Sequence, residues 1–330
     1  MKRTRLAALL LPLLFLSACG DQTSEKDFFA MDTAMQFKIT GAKANELAVS
    51  CEQYINSLDT LLSRTNADSV IWKLNHGEQT ATDEIYPYVS KAYEMSQKTE
   101  GAYDPTVAPL TDLWGIGTDN AHVPAQREID AALAKTGLDK MTLDDETKRI
   151  TLAAGTEIDL GGIAKGEAAD RCAAIVREGG ASGLLALGGN IYAVGTNEGK
   201  PWKIGIADPD NSTSYVATVA LTDLSAVTTG DYERYFEQNG VRYHHVFDPA
   251  TGYPAQTDVR SVTILGDISA ECDAYSTALF VMGREKGLEY SNAHGIAAIF
   301  ITKDKKIYAS HSVASLTDLQ VTGEGYSYAQ

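Results

Sequence analysis

Apolar residues recur at helical spacing along several stretches of the chain. Between Ala44 and Ser63 they follow one another every three or four residues, which predicts an amphipathic helix. Another helix, with Cys172 on its apolar face, is predicted from near Ile163 to the glycine pair at 179–180. The same spacing predicts further helices over residues 83–100, 126–136, 270–282 and 285–293.

Strand patterns occupy much of the remaining chain. Residues 28–40 predict one strand with a kink, and residues 157–160 predict a short strand. Strands dominate from the glycine pair to Leu265. Hairpins are predicted over 141–152 and 297–309, and a glycine- and proline-punctuated loop over 102–120. No internal repeat and no proline- or serine-rich linker divides the chain, so we expect one α+β domain with mixed, largely antiparallel sheets.

The first residues carry the pattern of an export signal. Lys2, Arg3 and Arg5 precede a short apolar run that ends in small residues and Cys19. Residues 1–18 are therefore interpreted as a lipoprotein signal peptide, Cys19 as the lipidated residue, and polar residues 19–27 as a tether. The alternative is an ordinary secretory signal with a chance cysteine. Both interpretations predict export, and the first anchors the protein to the bacterial cell membrane, facing the periplasm.

The charge balance excludes one class of partner. The chain has 28 Lys and Arg residues against 44 Asp and Glu residues, a formal net charge of −16. Such a chain is not expected to bind nucleic acid, because that requires cations placed against phosphates. Any anionic ligand would also need a local positive group or a metal ion.

Three cysteines remain once Cys19 is assigned to lipid: Cys51, Cys172 and Cys272. An odd number cannot form a complete disulfide framework. Cys51 and Cys172 lie on the apolar faces of predicted helices, so we expect buried thiols there.

A glycine-rich block, DLGGIAKG, covers Asp159–Gly166. Paired glycines between a predicted strand and a predicted helix allow the backbone to approach a ligand closely. The first N–H groups of the helix, together with Lys165, would favour an anion such as a phosphate. A simple packing turn is the alternative that the block alone leaves open.

Three oxygen-bearing side chains share one side of a predicted helix. Asp273 and Thr277 are four residues apart, and Ser276 is three residues from Asp273. Carboxylate and hydroxyl oxygens suit Mg²⁺ or Ca²⁺ and leave positions open for water and phosphate. The alternative is a helix start, with Asp273 as a cap and Thr277 bonded to its own backbone.

The segment Tyr235–Pro249 combines a hairpin with two histidines. Asn239 and Gly240 between aromatic and β-branched runs predict a two-residue turn. Period-two alternation places His245 on one face and His244 on the other. A histidine near phosphates could act as a general base, whereas a purely structural histidine is the alternative.

These blocks resemble the signatures of one protein family. DLGGIAKG at 159–166, DAYST at 273–277 and HVFDPATG at 245–252 are similar to the motifs of FAD:protein FMN transferases, the ApbE-type flavin transferases. Further similar blocks follow in family order across roughly residues 28–300: Met31–Met35, Leu62–Asn75, Gly101–Gly115, Leu187–Asn190 and Thr228–Gly230.

The resemblance implies a fold and a reaction. The fold is a T-fold-like flavin transferase domain over residues 28–309, followed by a C-terminal tail at 310–330. Members use Mg²⁺ and FAD, transfer FMN to a threonine hydroxyl of a target protein and release AMP. The implied partner is an exported redox subunit that carries the acceptor threonine.

The resemblance also implies site residues. The backbone carbonyl of Gly162 would complete a metal site with Asp273, Ser276 and Thr277. His245 would take the proton of the acceptor threonine, with Asp273 as the second catalytic residue. Contacts to flavin and nucleotide are implied for Met31, Thr65, Ala102, Tyr103, Asp104, Asp159, Lys165 and Phe247.

Two other functions would use the same features. A Mg²⁺-dependent FAD pyrophosphatase would replace the threonine with water and give FMN and AMP. A non-enzymatic lipoprotein would bind FAD in the periplasm without turning it over.

Overall fold

The computed structural model describes residues 21–78 and 82–329, so the predicted signal peptide over 1–18 and Cys19 lie outside the described residues. The strands are β1 (Gln22–Ala30), β2 (Thr33–Gly41), β3 (Met141–Asp144), β4 (Arg149–Leu152), β5 (Ser182–Leu187), β6 (Asn190–Val194), β7 (Trp202–Asp208), β8 (Asn211–Leu221), β9 (Leu224–Gly230), β10 (Tyr235–Gln238), β11 (Val241–His244), β12 (Val259–Gly266), β13 (Ala297–Thr302), β14 (Lys306–Ala309), β15 (Gln320–Val321) and β16 (Ser327–Tyr328). The helices are α1 (Ala44–Leu62), α2 (Val70–Asn75), α3 (Tyr86–Lys98), α4 (Ala108–Trp114), α5 (Gln126–Leu133), α6 (Ala164–Glu178), α7 (Ser269–His294) and α8 (Val313–Leu316), with a 3₁₀ turn at Leu138–Lys140.

A nine-stranded sheet forms the centre of the molecule. Its order is β1-β2-β5-β6-β9-β12-β13-β14-β16, and every neighbouring pair is antiparallel except β14 and β16. A second sheet has the order β15-β8-β7, and β3–β4 and β10–β11 are separate hairpins. The predicted class, α+β with largely antiparallel sheets, is confirmed. Across residues 21–78 and 82–329, none of the helices combines the length and the apolar character needed to cross a membrane.

The buried apolar residues form several clusters around the central sheet. The largest joins α1 and α6 to β2 and β5. Another lies between the sheet and β7–β8, and a third between the sheet and α7. Cys51, Cys172 and Cys272 are buried free thiols, as predicted for the first two from their apolar helix faces.

The predicted kinked strand over 28–40 is wrong, because the chain turns back at Met31 and Asp32 into a hairpin. Both turn residues have positive φ, 49° and 57°, a conformation that glycine or asparagine usually provides. β1 begins at Gln22, so the prediction of a tether is also wrong for residues 22–27. β1 is an edge strand, and charged residues are common there because only one side pairs with a neighbour. Composition alone makes such a strand resemble a linker.

Two further segments differ from their predictions. Residues 157–160 are not a strand, because the N–H and C=O of Ile158 bond to the side chain of Asn75, at 2.8 and 2.9 Å, in place of a neighbouring strand. The predicted loop over 102–120 contains α4, which has a proline in its first turn and ends at Gly115 in the left-handed region.

The segment 310–330, predicted as a tail after the domain, packs onto the sheets over its described residues. β15 pairs with β8, and β16 pairs in parallel with β14. Tyr326 donates a hydrogen bond of 2.7 Å to Asp208. The folded domain therefore extends beyond the predicted boundary at residue 309.

Elements with strong local signals are confirmed. α1, α3, α5 and α6 lie within a few residues of their predicted bounds, and the β3–β4 and β13–β14 hairpins form. Asn239 and Gly240, with φ of 54° and 75°, make the tight turn of β10–β11. α7 runs through the two predicted helices and breaks at Gly283, whose φ is 76°.

Candidate active site

The glycine block forms a tight turn that Asp159 holds in place. One carboxylate oxygen of Asp159 accepts the N–H of Gly161 at 2.8 Å, and the N–H of Asp159 donates to the carbonyl of Pro105 at 2.7 Å. The other carboxylate oxygen lies 3.1 Å from Nε of Arg64. Lys165, in the first turn of α6, donates to the carbonyl of Gly161 at 2.8 Å. A carboxylate and an ammonium group therefore bracket the turn.

The glycine turn meets the start of α7. Oδ2 of Asp273 accepts the N–H of Gly166 at 3.0 Å and lies 4.0 Å from Nζ of Lys165. This approach depends on glycine, because a Cβ at position 166 would lie 2.5 Å from backbone atoms of Ser269 and Ala270. Asp273 is only 4% exposed, and burial raises the pKa of its carboxyl against the opposite effects of Lys165 and the Gly166 N–H. Two blocks that are far apart in the chain thus form one site.

Gly162 and Tyr103 form a second close contact at this site. A Cβ at Gly162 would lie 2.9 Å from the ring of Tyr103 and 3.6 Å from Oγ1 of Thr277. Tyr103 is 3% exposed, and its hydroxyl has no hydrogen-bond partner among the described residues. Burial raises the pKa of this phenol well above its usual value, and the nearby carboxylates of Asp273 and Asp159 raise it further. A buried neutral hydroxyl without a partner is suited to bond a ligand oxygen.

The two hydroxyl residues of α7 have different surroundings. Ser276 is fully buried, donates to the carbonyl of Asp273 at 2.8 Å and lies 2.6 Å from Oγ1 of Thr229 in β9. Thr277 is partly exposed, and its Oγ1 lies near Gly162 and 3.4 Å from Oγ1 of Thr229. Asp273 and Thr277 therefore lie towards the glycine turn, whereas their spacing predicted only that they share one side of the helix with Ser276. A ligand role for Ser276 stays a prediction.

These donors fit a magnesium ion. The set combines one carboxylate from Asp273, one hydroxyl from Thr277 and the carbonyl of Gly162, all hard oxygen ligands. At Gly162 there is no room for a Cβ beside Tyr103, and the position lies near Thr277. Over the described ranges, no group of three or more His, Cys, Asp or Glu side chains is arranged to hold a metal. The predicted set contains a single carboxylate.

His245 lies just after β11, held by the backbone of Arg234. The carbonyl of Arg234 accepts the backbone N–H of His245 at 3.1 Å, and Nδ1 of the imidazole lies 3.3 Å from the same oxygen. Burial lowers the pKa of His245 to about 3, and the charges of Arg234 and Lys165 act in the same direction. The imidazole is therefore neutral near pH 7. A proton on Nδ1 directed at this carbonyl leaves Nε2 as a proton acceptor.

His244 occupies the opposite face of the strand. Its Nε2 lies 2.8 Å from the carbonyl of Ala255, and its Nδ1 accepts the N–H of Val246 at 3.3 Å. The ring packs edge-on against Phe280 of α7, with 5.3 Å between ring centroids. Both nitrogens are thus bonded within the core. The prediction that the two histidines face opposite sides of the strand is confirmed.

Two of the predicted flavin and nucleotide contacts lie near α1. Met31, at the β1–β2 turn, donates its N–H to Asp59 at 3.1 Å. Thr65 follows α1 and lies next to Arg64, which contacts Asp159. The hydroxyl of Thr65 is 3.2 Å from that of Ser63. Neither Met31 nor Thr65 has a hydrogen bond to the glycine turn in the described structure, and their ligand roles stay predictions.

The remaining predicted contacts flank the site. Ala102 and Asp104 stand on either side of Tyr103, and Asp104 is buried, accepting two hydrogen bonds from Thr106 at 2.8 and 2.6 Å. Burial raises the pKa of the Asp104 carboxyl, whereas the Thr106 bonds lower it. Phe247, two residues after His245, packs in a cluster with Trp114. The ligand roles of Ala102, Asp104 and Phe247 stay predictions.

Three residues of the site were missed at the level of sequence. Arg64 and Thr229 stand inside motif blocks, but nothing in the local pattern shows that Arg64 contacts Asp159 or that Thr229 contacts the hydroxyls of α7. Arg234 carries no signal, because its role depends on its backbone carbonyl. Of the three, only Arg64 had a usable signal, because it is a cation inside the Leu62–Asn75 block of a protein expected to bind an anion.

A buried carboxylate and a lysine meet at the glycine turn, and the charge of that lysine acts on the neutral imidazole of His245. These groups define an enzyme site suited to phosphoryl chemistry. The "ApbE family" model matches residues 31–300. The FAD:protein FMN transferase of Treponema pallidum is 32% identical, covering 94% of both chains, and that of Haemophilus influenzae is 30% identical, covering 94% of this chain and 96% of the relative. The crystal structure of the ApbE protein of Thermotoga maritima has a TM-score of 0.85 at 34% identity, covering 90% of this chain and all of that one.

The chain therefore belongs to the ApbE family. The resemblance drawn from its motifs is confirmed, and so is the flavin transferase architecture that it implied. A second solved structure, the flavinyl transferase ApbE of Pseudomonas stutzeri, has a TM-score of 0.79 at 29% identity over 90% of this chain and 97% of its own.

Proposed function

We propose that this protein is an FAD:protein FMN transferase that depends on Mg²⁺, attaches FMN to a threonine hydroxyl of an exported redox protein and releases AMP. One observation carries the proposal: Asp273 of α7 meets Gly166 and Lys165 of the glycine turn. The contact supports the proposal because the Asp273 carboxylate, a suitable oxygen donor for a cation, lies 4.0 Å from the Lys165 ammonium group, which suits an anion. An acidic protein needs a local positive group or a metal ion to hold a pyrophosphate, and this site offers a place for each.

Asp273, Thr277 and the carbonyl of Gly162 would hold the Mg²⁺ ion. When bound, Mg²⁺ supplies charge compensation to the phosphoryl oxygens and to the leaving group. The chain itself supplies Lys165 as a second positive charge. The unpartnered hydroxyl of Tyr103 supplies one hydrogen-bond donor to the same region. Binding and orientation therefore account for much of what the site must do in phosphoryl transfer.

His245 is the proposed general base. Its neutral imidazole, with Nδ1 directed at the Arg234 carbonyl, offers Nε2 to the hydroxyl proton of the acceptor threonine. As the threonine oxygen bonds to the FMN-side phosphorus, the bond from that phosphorus to the bridging oxygen breaks. The bridging oxygen leaves with AMP, and the proton moves to Nε2. The products are AMP and a phosphoester between FMN and the threonine.

We also propose that the protein is lipid-anchored at Cys19 and that its domain faces the periplasm. The support is the signal pattern of residues 1–18. A Cys19→Ala variant, expressed with its signal, should lose the lipid mass on its N-terminus and move from the membrane to the soluble fraction. Retention of the variant in the membrane fraction would contradict the anchor.

The transfer reaction is tested with the purified domain, FAD, Mg²⁺ and a candidate redox acceptor. Covalent flavin fluorescence should appear on the acceptor in a denaturing gel, and AMP should accumulate in equal amount. EDTA should stop both. An acceptor whose threonine is replaced by alanine is the matched control and should remain unlabelled.

Other outcomes separate the alternative functions. FMN and AMP without a labelled acceptor, for every redox subunit tested, would indicate a pyrophosphatase. FAD that binds but is not consumed with Mg²⁺ present would indicate a binding protein.

A further inference from the structure

Three hydroxyl groups form a chain between β9 and α7. Oγ of Ser276 donates to the carbonyl of Asp273 at 2.8 Å. Oγ1 of Thr229 lies 2.6 Å from Oγ of Ser276, and Oγ1 of Thr277 lies 3.4 Å from Oγ1 of Thr229. This series of hydrogen-bonded hydroxyls runs from the backbone carbonyl of Asp273, one proposed metal ligand, to the side chain of Thr277, another.

The direction of each hydrogen bond follows from proton counting. A hydroxyl has one proton and can accept at its lone pairs. Ser276 uses its proton on the carbonyl of Asp273, so Thr229 must donate to Ser276. With the proton of Thr229 used, the contact between Thr229 and Thr277 requires Thr277 to donate. The proton of Thr277 therefore points towards β9.

This arrangement differs from the usual behaviour of threonine in a helix. A helical threonine commonly donates to the carbonyl four residues earlier, which for Thr277 is the carbonyl of Asp273. Here Ser276 occupies that carbonyl, and Thr229 offers the alternative acceptor. The lone pairs of Thr277 are then directed away from Thr229, and Gly162 lies close to the same hydroxyl, since a Cβ at Gly162 would be 3.6 Å from Oγ1 of Thr277.

We propose that Thr229 is a positioning residue for magnesium: it accepts the hydrogen bond that the Thr277 hydroxyl donates, so that the lone pairs of Thr277 face the cation. This inference rests on the proposed function, because it requires that Thr277 binds the metal. It adds a residue of β9, outside both the glycine turn and α7, to the construction of the metal site. Groups that orient metal ligands commonly change metal affinity by about 10- to 100-fold when removed.

The chain offers a matched control one residue away. Thr228 also lies in β9, and its hydroxyl is 2.8 Å from that of Thr263 in the neighbouring strand β12. Thr228→Val removes a paired hydroxyl from the same strand without touching α7. Thr229→Val removes the proposed acceptor and keeps the side-chain shape, whereas Thr229→Ser keeps the hydroxyl.

The test measures Mn²⁺ binding to each purified variant by the loss of the free Mn²⁺ signal in electron paramagnetic resonance. Mn²⁺ accepts the same oxygen ligands as Mg²⁺. Thr229→Val should weaken Mn²⁺ binding about tenfold, and the Mg²⁺ concentration for half-maximal FAD consumption should rise in parallel. Thr229→Ser and Thr228→Val should bind Mn²⁺ within about twofold of the unchanged protein. Thermal unfolding without metal shows whether each variant folds.

If Thr229→Val does not fold, Ser276→Ala tests the same chain. That change frees the Asp273 carbonyl for Thr277 and should weaken Mn²⁺ binding about tenfold, as Thr229→Ala should. Weakening in Ser276→Ala without weakening in Thr229→Ala would indicate instead that Ser276 itself binds the metal. Thr277→Val distinguishes a failure of the role proposed for Thr229 from a failure of the proposed metal site. Weak Mn²⁺ binding in Thr277→Val but normal binding in Thr229→Val and Ser276→Ala would overturn the role of Thr229 alone. Normal binding in Thr277→Val would overturn the proposed metal site itself.

Discussion

The carboxylate of Asp273 accepts a hydrogen bond of 3.0 Å from the backbone N–H of Gly166, 107 residues earlier in the chain. The bond joins the start of α7 to the first turn of α6. It is shielded from water, since Asp273 is almost fully buried. Because both segments carry proposed ligand groups, this contact sets the geometry of the site.

The first prediction concerns the charge of Asp273. Asp273→Asn keeps an oxygen that can accept from Gly166, so the fold should persist, but it removes the carboxylate of the proposed metal site. FAD consumption in the presence of Mg²⁺ should fall at least about 100-fold, as measured by AMP release. The control is Glu271→Gln, since Glu271 pairs instead with Lys91 at 2.6 Å and should leave turnover unchanged. Full activity in Asp273→Asn would contradict the proposed metal site.

The second prediction separates the two histidines. His245→Ala should lower flavin transfer by about 100- to 10,000-fold while FAD binding, followed by flavin fluorescence, stays close to that of the unchanged protein. His244→Ala should instead lower the free energy of unfolding by about 1–3 kcal/mol, because a buried carbonyl and an N–H lose their partner. Its transfer rate should remain within about tenfold of the unchanged protein. Equal loss of transfer in the two variants would contradict the assignment of the base.

The third prediction concerns the packing of α6 on α7. At a helix position where a side chain has room, Gly→Ala raises the free energy of unfolding by about 1 kcal/mol. Gly166→Ala should instead lower the free energy of unfolding by about 1–3 kcal/mol, because the new Cβ would meet backbone atoms at 2.5 Å. Urea unfolding measures the change. A gain in stability would mean that the two helices do not approach as closely as described.

The fourth prediction concerns a buried carboxyl on α6. Burial raises the pKa of Glu167 to about 7, and the neighbouring Asp170 acts in the same direction. Because the folded state holds the proton more tightly than the unfolded state, the stability that this group contributes is present below pH 4.5 and is lost as the pH rises towards 7. Glutamine does not ionise, so the Glu167→Gln variant does not lose this stability as the pH rises. The variant should be more stable than the unchanged protein by about 1–3 kcal/mol at about pH 8 and similar to it near pH 4.

Chemical denaturation at the two pH values tests this expectation. The control is Glu178→Gln on the same helix, whose side chain is 70% exposed and should show the same small effect at both pH values. A Glu167→Gln variant with equal gains under the acidic and the alkaline condition would contradict a raised pKa.

Predictions from sequence succeeded where the signal is local. α1 follows from apolar residues at helical spacing, and the β10–β11 turn follows from Asn239 and Gly240. They failed where the hydrogen-bond partners of the backbone come from distant parts of the sequence or from a side chain. The edge strand β1 looks like a polar linker until β2 pairs with it, and residues 157–160 look like a strand although Asn75 takes the hydrogen bonds of Ile158.

The sequence by itself determined the family, because motifs keep residue types in order along the chain, and it named the residues proposed to carry the chemistry. Only the tertiary structure decided that Asp273 meets Gly166, that Arg64 contacts Asp159 and that the hydroxyl of Thr277 lies 3.4 Å from that of Thr229. Each of these contacts joins residues distant in sequence. The physical reason is that a hydrogen bond depends on the position and the proton of both partners, and neither is encoded in a local pattern.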